Sequence, residues 1–501
     1  MKYHVQKIIV LGGGSAGLLA ALTIRSRLPQ VEVTLIRSQK IPVIGVGEST
    51  TRALPHYLHN VLGLDRSEFY QQVRPSWKLG IRFEWGSPDT SHFNYPFADR
   101  LDVRLRELPQ LIAFYCADDQ RDTSVFDVLM DRGLSPCALR DGQYGVDESG
   151  AYHIENKSFV AFLEVQAKRA GVRFVDGDVA AVPRTESGDV EKLELEDGRN
   201  LAADLFVDCS GFRSVLMGKT LGERFVSYDD SLFCDRAVVG NWQRDDAVMP
   251  YTTVETMDSG WCWKIEFIDH MNRGYVYSSA FCSDDDAMRE MKQKNPRLGD
   301  DLRVIKFPCG RYENFWVGNV AAIGNAAGFV EPLESSALQH IIEQSRFLCT
   351  ALCETNCRVT PQLQELENRR FRWLWDDLRD FLAVHYKFNR RLDTPFWRHC
   401  REHVDLGGAE QLVDYYRRVG PTSLASSLIY PASIFGYEGY LSLLMGQQVP
   451  TDFCYVPSDG ERETWQRFRD YVRSLATGAL PVREAMQLVC DPSWTWPSQR
   501  S

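Results

Sequence analysis

Residues 12–17 read Gly-Gly-Gly-Ser-Ala-Gly, which satisfies the spacing G-x-G-x-x-G. Glycines at that spacing suit a dinucleotide. Gly12 permits a tight turn, Gly14 lets the backbone approach a pyrophosphate, and Gly17 allows a helix to pack closely on a strand. The chemistry on offer is anion binding, because free N–H groups and a partial positive charge collect where the helix opens at Ser15 and Ala16. An acidic ribose partner is usual at the end of the next strand, but that place reads Leu35-Ile36-Arg37-Ser38. A second group that could do chemistry is Cys349, Cys353 and Cys357, whose spacing of four predicts one helix face. No histidine lies near them in sequence, and small buried apolar residues are the better reading of these cysteines.

The elements that must hold the glycine loop follow from the pattern. The apolar run Ile8–Leu11 predicts a buried strand, Ser15 to about Arg27 a helix, and Val31–Ile36 a second strand parallel to the first. Val172–Val175, Val190–Leu195 and Leu205–Val207 predict further strands, with Asp197-Gly198 as a turn. Residues 250–282 are rich in Tyr, Thr, Val and Trp and also predict strands. Beyond about residue 334 the pattern turns helical. There Trp375, Leu378, Phe381, Leu382 and His385 fall on one helix face, as a core stripe would. The expected architecture is α/β, with a Rossmann-type dinucleotide-binding body, a mixed β-sheet insertion and a helical C-terminal region, interlaced as one unit. We place the body at 1–345, the insertions at about 75–150 and 220–300, and the helical region at 346–501.

The bulk numbers agree with a packed globular protein of 501 residues, 44% hydrophobic and 25% charged. A net charge of −11 gives no reason to expect nucleic-acid binding. The N-terminal segment lacks the features of a signal peptide, and no run of about 18 apolar residues marks a membrane span. Thirteen cysteines, an odd number, fit reduced thiols. The expected location is the cytoplasm, and a homodimer is the default assembly.

The glycine loop alone does not separate FAD from NAD. Further segments do: Ile44-Gly45-Val46-Gly47-Glu48-Ser49-Thr50, Lys78-Leu79-Gly80-Ile81-Arg82-Phe83, Asp208-Cys209-Ser210-Gly211, Gly260-Trp261-Cys262-Trp263-Lys264-Ile265, and 324–335 from Gly324 to Ser335. Occurring in this order, they closely resemble the flavin-dependent tryptophan halogenase family from about residue 5 to about residue 450. The resemblance implies FAD contacts at Gly12, Gly14, Ser15, Ala16, Gly17, Val46, Gly47, Glu48, Asp208 and Gly324. It implies a soluble enzyme that uses reduced FAD from a separate reductase, oxygen, and chloride or bromide. Hypohalous acid formed beside the flavin would pass through a tunnel to an electron-rich, indole-like ring.

In the family a lysine holds that acid or carries the halogen, and Lys78 matches it; an amine suits either role. Glu334 matches the family's glutamate, which steadies the cationic ring and accepts its proton. Ser336 and Ala337 stand where backbone N–H groups bind halide, in place of the usual threonine and glycine. The implied substrate pocket includes Tyr95, Pro96, Phe97, Ser335 and Tyr440. The family motif W-x-W-x-I-P, which keeps substrate away from the flavin, reads Trp261-Cys262-Trp263-Lys264-Ile265-Glu266, with glutamate for proline.

The substrate lid departs further. Tyr440 falls where a sandwiching tryptophan is usual. Counting back, the family's paired tyrosines land on Leu428 and Ile429, and its glutamate on Phe435. A zwitterionic head buried without partners costs several kcal/mol, so this lid predicts an indole-like arene without a free amino-acid head. The competing readings are a flavin-dependent aromatic hydroxylase, a non-catalytic FAD-binding protein, and an NAD-dependent dehydrogenase that rests on the glycine loop alone.

Overall fold

The computed structural model describes residues 3–41, 47–98, 107–110, 112–117, 119–453 and 455–496. The chain divides into two compact units. The first comprises Met1–Arg74, Ile154–Ser227 and Phe307–Trp375; the second comprises Pro75–His153, Tyr228–Lys306 and Asp376–Ser501. The second unit therefore gathers the C-terminal residues with both central segments, and the first extends to Trp375.

The first unit is built on a six-stranded sheet in the order Arg173–Asp176, Glu32–Arg37, Lys7–Leu11, Leu205–Asp208, Val320–Ala322, Trp316–Val317. The first five strands run parallel and the last is antiparallel. Ile8 to Leu11 and Leu205 to Asp208 are buried without alternation, as strands covered on both faces must be. The helix Ser15–Arg27 packs against the helices Asn156–Arg169 and Ala337–Glu354. The last of these ends at Glu354, so Cys357 leaves the helix face on which its spacing placed it. Cys349 and Cys357 are buried and Cys353 is exposed. Among the described residues no three His, Cys, Asp or Glu are grouped to hold a metal.

The second unit is built on a seven-stranded sheet in the order Arg303–Lys306, Arg236–Gln243, His270–Tyr277, Gly260–Glu266, Thr252–Met257, Gly80–Glu84, Phe93–Pro96. Only Gly80–Glu84 and Thr252–Met257 pair in parallel. The register sorts side chains by parity. Tyr95 pairs with Ile81, Phe93 with Phe83, and Val254 with both Phe83 and Trp263, so the Trp261/Trp263 face is also the Tyr95 face. Cys262 points the other way, into a core with Tyr275, Tyr277, Ala287 and Met291. In the C-terminal residues of this unit, the helices Gly436–Gly446 and Asp459–Leu475 are followed by a short strand, Ala479–Pro481, that pairs with Leu134–Arg140. No described helix is long and apolar enough to cross a membrane.

Candidate active site

In the first unit, the glycines divide by what surrounds them. A Cβ on Gly12, whose φ is +134°, would lie 2.2 Å from the Cys209 carbonyl oxygen, and one on Gly17 would lie 1.9 Å from the Gly12 oxygen. Both positions are closed to any side chain. A Cβ on Gly14 would meet nothing within 4 Å. That open space lies at the N-cap of Ser15–Arg27, where the first intrahelical bond is Leu18 N–H to Gly14 O at 3.0 Å. The N–H groups of Ser15, Ala16 and Gly17 therefore have no helical acceptor. A pyrophosphate fits this cradle of open backbone and free donors. Gly324 closes its side: its N–H donates to Gln344 at 2.8 Å, and a Cβ there would come within 3.1 Å of Ala16.

These contacts make a divided prediction. Gly17→Ala collides with backbone and should cost stability, about 1–3 kcal/mol, as well as flavin affinity. Gly14→Ala collides with nothing in the protein, so its melting temperature should stay near wild type while FAD binding, read by flavin fluorescence, weakens at least ~10-fold because a pyrophosphate needs the space. Unchanged FAD affinity in Gly14→Ala would remove the cradle as the flavin site.

Asp208 is engaged by its own loop. Its buried carboxylate accepts from the Ser210 N–H at 3.0 Å, the Ser210 hydroxyl at 2.6 Å, and the Leu216 and Met217 N–H groups at 2.7 and 3.0 Å. It thereby fixes the loop around Gly211. Arg37, at the ribose position, is bound to Glu164 at 2.5 Å and Asp176 at 2.6 Å. Glu48 lies on the strand Glu48–Ser49 and accepts from the Asn156 amide at 3.3 Å. Burial, and then the charge of Glu155, push its carboxyl up to about 7. Near neutral pH it can therefore accept or donate a hydrogen bond to a ribose hydroxyl. Gly47, the preceding residue, takes φ +70°, while Val46 lies outside the described residues.

Glu334 and Ser335 form a strained corner in the same unit. Both are buried, and Ser335 holds φ +58°, a conformation that a non-glycine residue keeps only under constraint. The constraint is visible. Ser335 N–H donates to Pro332 O at 3.0 Å, and its hydroxyl to Ser49 at 3.0 Å. One turn further, the Thr51 hydroxyl donates to Gln339 at 2.7 Å. The segment 48–51 and the corner 334–339 are thus tied together. Ser336 is the N-cap of the 18-residue helix Ala337–Glu354, whose first bond is His340 N–H to Ser336 O at 2.9 Å. The Ser336 and Ala337 N–H groups accordingly stand at the positive end of a long helix with no helical acceptor, which suits an anion. Neither needs its side chain for this, so the absent threonine and glycine remove no donor.

In the second unit, Lys78 ends the strand Ser76–Lys78 and is fully buried. Its ammonium lies 4.7 Å over the Phe97 ring, a cation–π contact worth roughly 2 kcal/mol where water is excluded. The backbone on its C-terminal side is pinned: Leu79 N–H donates to Pro250 O and Phe97 N–H to Leu79 O, each at 2.7 Å. On its N-terminal side the Ser76 hydroxyl donates to the Glu266 carbonyl at 2.6 Å. His153 pairs with Ser76 in the register that pairs Ala151 with Lys78, so His153 and Lys78 share one sheet face. His153 lies 2.8 Å from the Thr252 hydroxyl. Burial, then the Lys78 charge, lower its pKa to about 3, and it remains neutral.

Trp261 and Trp263 stand 6.1 Å apart on their strand, and Trp263 donates to Asn272 at 2.9 Å. A Cβ on Gly274 would lie 1.9 Å from the Trp263 ring, so Gly274 exists to let that indole lie flat across the neighbouring strand. The glutamate that replaces proline is no loose end. Glu266 is fully buried, with Arg244 at 2.5 Å, Lys264 at 2.9 Å and the Met249 N–H at 2.8 Å.

From Phe97 a row of aromatic rings runs toward the C-terminal lid. Tyr95 lies 6.0 Å from Phe97 and 6.4 Å from Phe381, and Phe381 lies 4.9 Å from Tyr440. Phe435 stacks face to face on Phe381 at 3.9 Å and 9°. Pro96 pairs with Gly80 at the end of the same ladder. The second unit therefore gathers Lys78, Tyr95, Pro96, Phe97 and Tyr440. The first gathers the glycine loop, Gly324, Glu48, Glu334, Ser335, Ser336 and Ala337. Phe381, Phe435 and His153 also lie in the second unit, and of these only Phe435 stood in the lid register. Phe381 was legible only as core stripe, and nothing local marked His153.

Comparison with known proteins bears on these two groups together. The family model described as tryptophan halogenase matches residues 7–456. The chain belongs to the tryptophan halogenase family. The tryptophan 7-halogenase RebH of Lentzea aerocolonigenes is 34% identical over 449 residues, 83% of each chain. The tryptophan 6-halogenase ThaL of Streptomyces albogriseolus is 31% identical over 457 residues, 85% of this chain and 84% of its own. Among solved structures, MibH, described as a lanthipeptide tryptophan 5-halogenase, superposes with a TM-score of 0.87 at 38% identity, covering 98% of this chain and 94% of that one. The protein is a flavin-dependent halogenase with a Rossmann-type body. The hydroxylase and dehydrogenase readings find no support among these tryptophan halogenases.

Proposed function

We propose that this halogenase acts on an indole that carries no free amino-acid head, such as a tryptophan side chain within a peptide. The observation that carries the reading is Phe435 stacked at 3.9 Å on Phe381, at the place where the family register puts a carboxylate. A free zwitterion there would lose water and gain an aromatic face, a trade that costs several kcal/mol. The description of MibH as a lanthipeptide halogenase supports the same choice.

What the flavin supplies when bound, as reduced FAD from a separate reductase with oxygen and chloride or bromide, is an oxidised halogen, delivered as hypohalous acid. Gly12 to Gly17, Glu48 and Gly324 would hold the cofactor, and the Ser336 and Ala337 N–H groups the halide. Lys78 then does the chemistry of transfer. Its ammonium binds the hypohalous acid and gives a proton to the oxygen as the oxygen–halogen bond breaks. The ring carbon takes the halogen and gives up its proton to solvent, and water leaves. Lys78 regains a proton from solvent.

The test is a comparison of kcat/KM for N-acetyltryptophan amide, a tryptophan-containing peptide and free tryptophan. Each is supplied with FAD, a flavin reductase, NADH and bromide, and products are read by mass spectrometry. The blocked forms should exceed free tryptophan at least ~10-fold, the equivalent of about 1.4 kcal/mol. A higher kcat/KM for free tryptophan would overturn the substrate reading.

A further inference from the structure

Phe435 owes its place to a residue on the helix it covers. The helix Pro361–Phe388 carries Asp377 one turn before Phe381, so both side chains lie on one face. The Ser433 hydroxyl donates to Asp377 at 2.8 Å, and the Ile434 N–H donates to the same carboxylate. Ser433 N–H closes a turn onto Tyr430 O at 2.9 Å. The loop 430–435 is therefore attached at two points one helical turn apart: by its polar end to Asp377, and by its aromatic end to Phe381. The start of the next helix leaves no slack, because a Cβ on Gly439 would come within 2.8 Å of the Tyr95 hydroxyl and 3.3 Å of both Phe381 and Phe435. The buried carboxylate three residues on, Asp380, is already taken by Arg379 at 2.6 Å and the Gly408 N–H at 3.0 Å.

We infer that Asp377 is a positioning residue for substrate selection: it latches the loop through Ser433 so that Phe435 plugs the space an amino-acid head would need. This rests on the substrate reading above. No chemistry is asked of Asp377 itself; its effect reaches substrate only through the ring of Phe435.

The quantity to measure is the discrimination ratio, kcat/KM for N-acetyltryptophan amide over that for free tryptophan, in wild type, Asp377→Ala, Phe435→Ala and the double variant. Both single variants should lower the ratio at least ~10-fold, through KM for free tryptophan, and Asp377→Ala should leave kcat for the blocked substrate nearly unchanged. The double variant should lower it no further, because both changes open one plug. Ser433→Ala removes the same hydrogen bond and replaces Asp377→Ala should that chain fail to fold. A ratio unchanged in Asp377→Ala and Ser433→Ala, or lost equally for both substrates through kcat, overturns the latch. A wild-type ratio below one overturns the substrate reading instead, so the two failures are distinct.

Discussion

Lys78→Ala is expected to abolish halogenated product while leaving the protein folded, FAD bound and NADH consumption running. General acid catalysis contributes about 10²–10⁴ in rate, and carriage of the halogen by the same amine would add to that. A loss of at least ~10³ is therefore expected. Lys78→Met is the sharper variant, because it keeps the packing over Phe97 and removes only the amine. Lys78→Met also gives up the cation–π contact with Phe97, so it should melt somewhat below the wild-type temperature, and product is compared where both proteins are folded. Lys78→Arg should not rescue, since a guanidinium is larger than the fully buried site and cannot act as a neutral carrier amine. The readout is the halogen isotope pattern in product by mass spectrometry. Product within tenfold of wild type in Lys78→Met would remove Lys78 from the mechanism.

How much of this was legible beforehand depended on whether the signal was local. The glycine loop was, because Gly12 and Gly17 are forced by contacts within one strand–turn–helix unit, with only Cys209 brought from elsewhere. The buried parallel strands were legible for the same reason, as unbroken apolar runs. The burial of Lys78 was not. It follows from pairing with Ala151, far along the chain, and from a Phe97 ring carried by the next hairpin. Cys357 was misplaced because nothing in its spacing reveals that the helix stops at Glu354. Phe381 was read correctly as buried and incompletely as core, since a stripe at helical spacing does not say what lies opposite. Opposite it lie Tyr95, Phe435 and Tyr440, which arrive from three separate segments.

Restoring the family's proline by Glu266→Pro is expected to be among the most destabilising single changes available in the second unit. The Arg244 side chain is 2% exposed and Glu266 wholly buried, so the pair sits where an unmatched charge cannot be rehydrated. Removing one member of such a pair costs about 3–5 kcal/mol, more than the pair itself contributes over apolar residues of like shape. The Met249 N–H loses its acceptor and Lys264 its ion-pair partner in the same step. Arg244 keeps Asp246 and the Ala247 carbonyl, which places the expected loss toward the lower end of that range. The double variant R244M/E266P should recover most of it, because no buried cation is then left over, and the non-additivity measures the coupling directly. Catalysis in the folded fraction should survive, since Ser76 anchors the Lys78 strand to the backbone carbonyl of residue 266 and not to its side chain. Thermal melting of the four members of the cycle decides the matter. If E266P melts within about a degree of wild type, the ion pair is ornamental and the departure from the motif needs another cause. If E266P is destabilised and R244M/E266P is not, the cost of the proline is the stranded Arg244 charge.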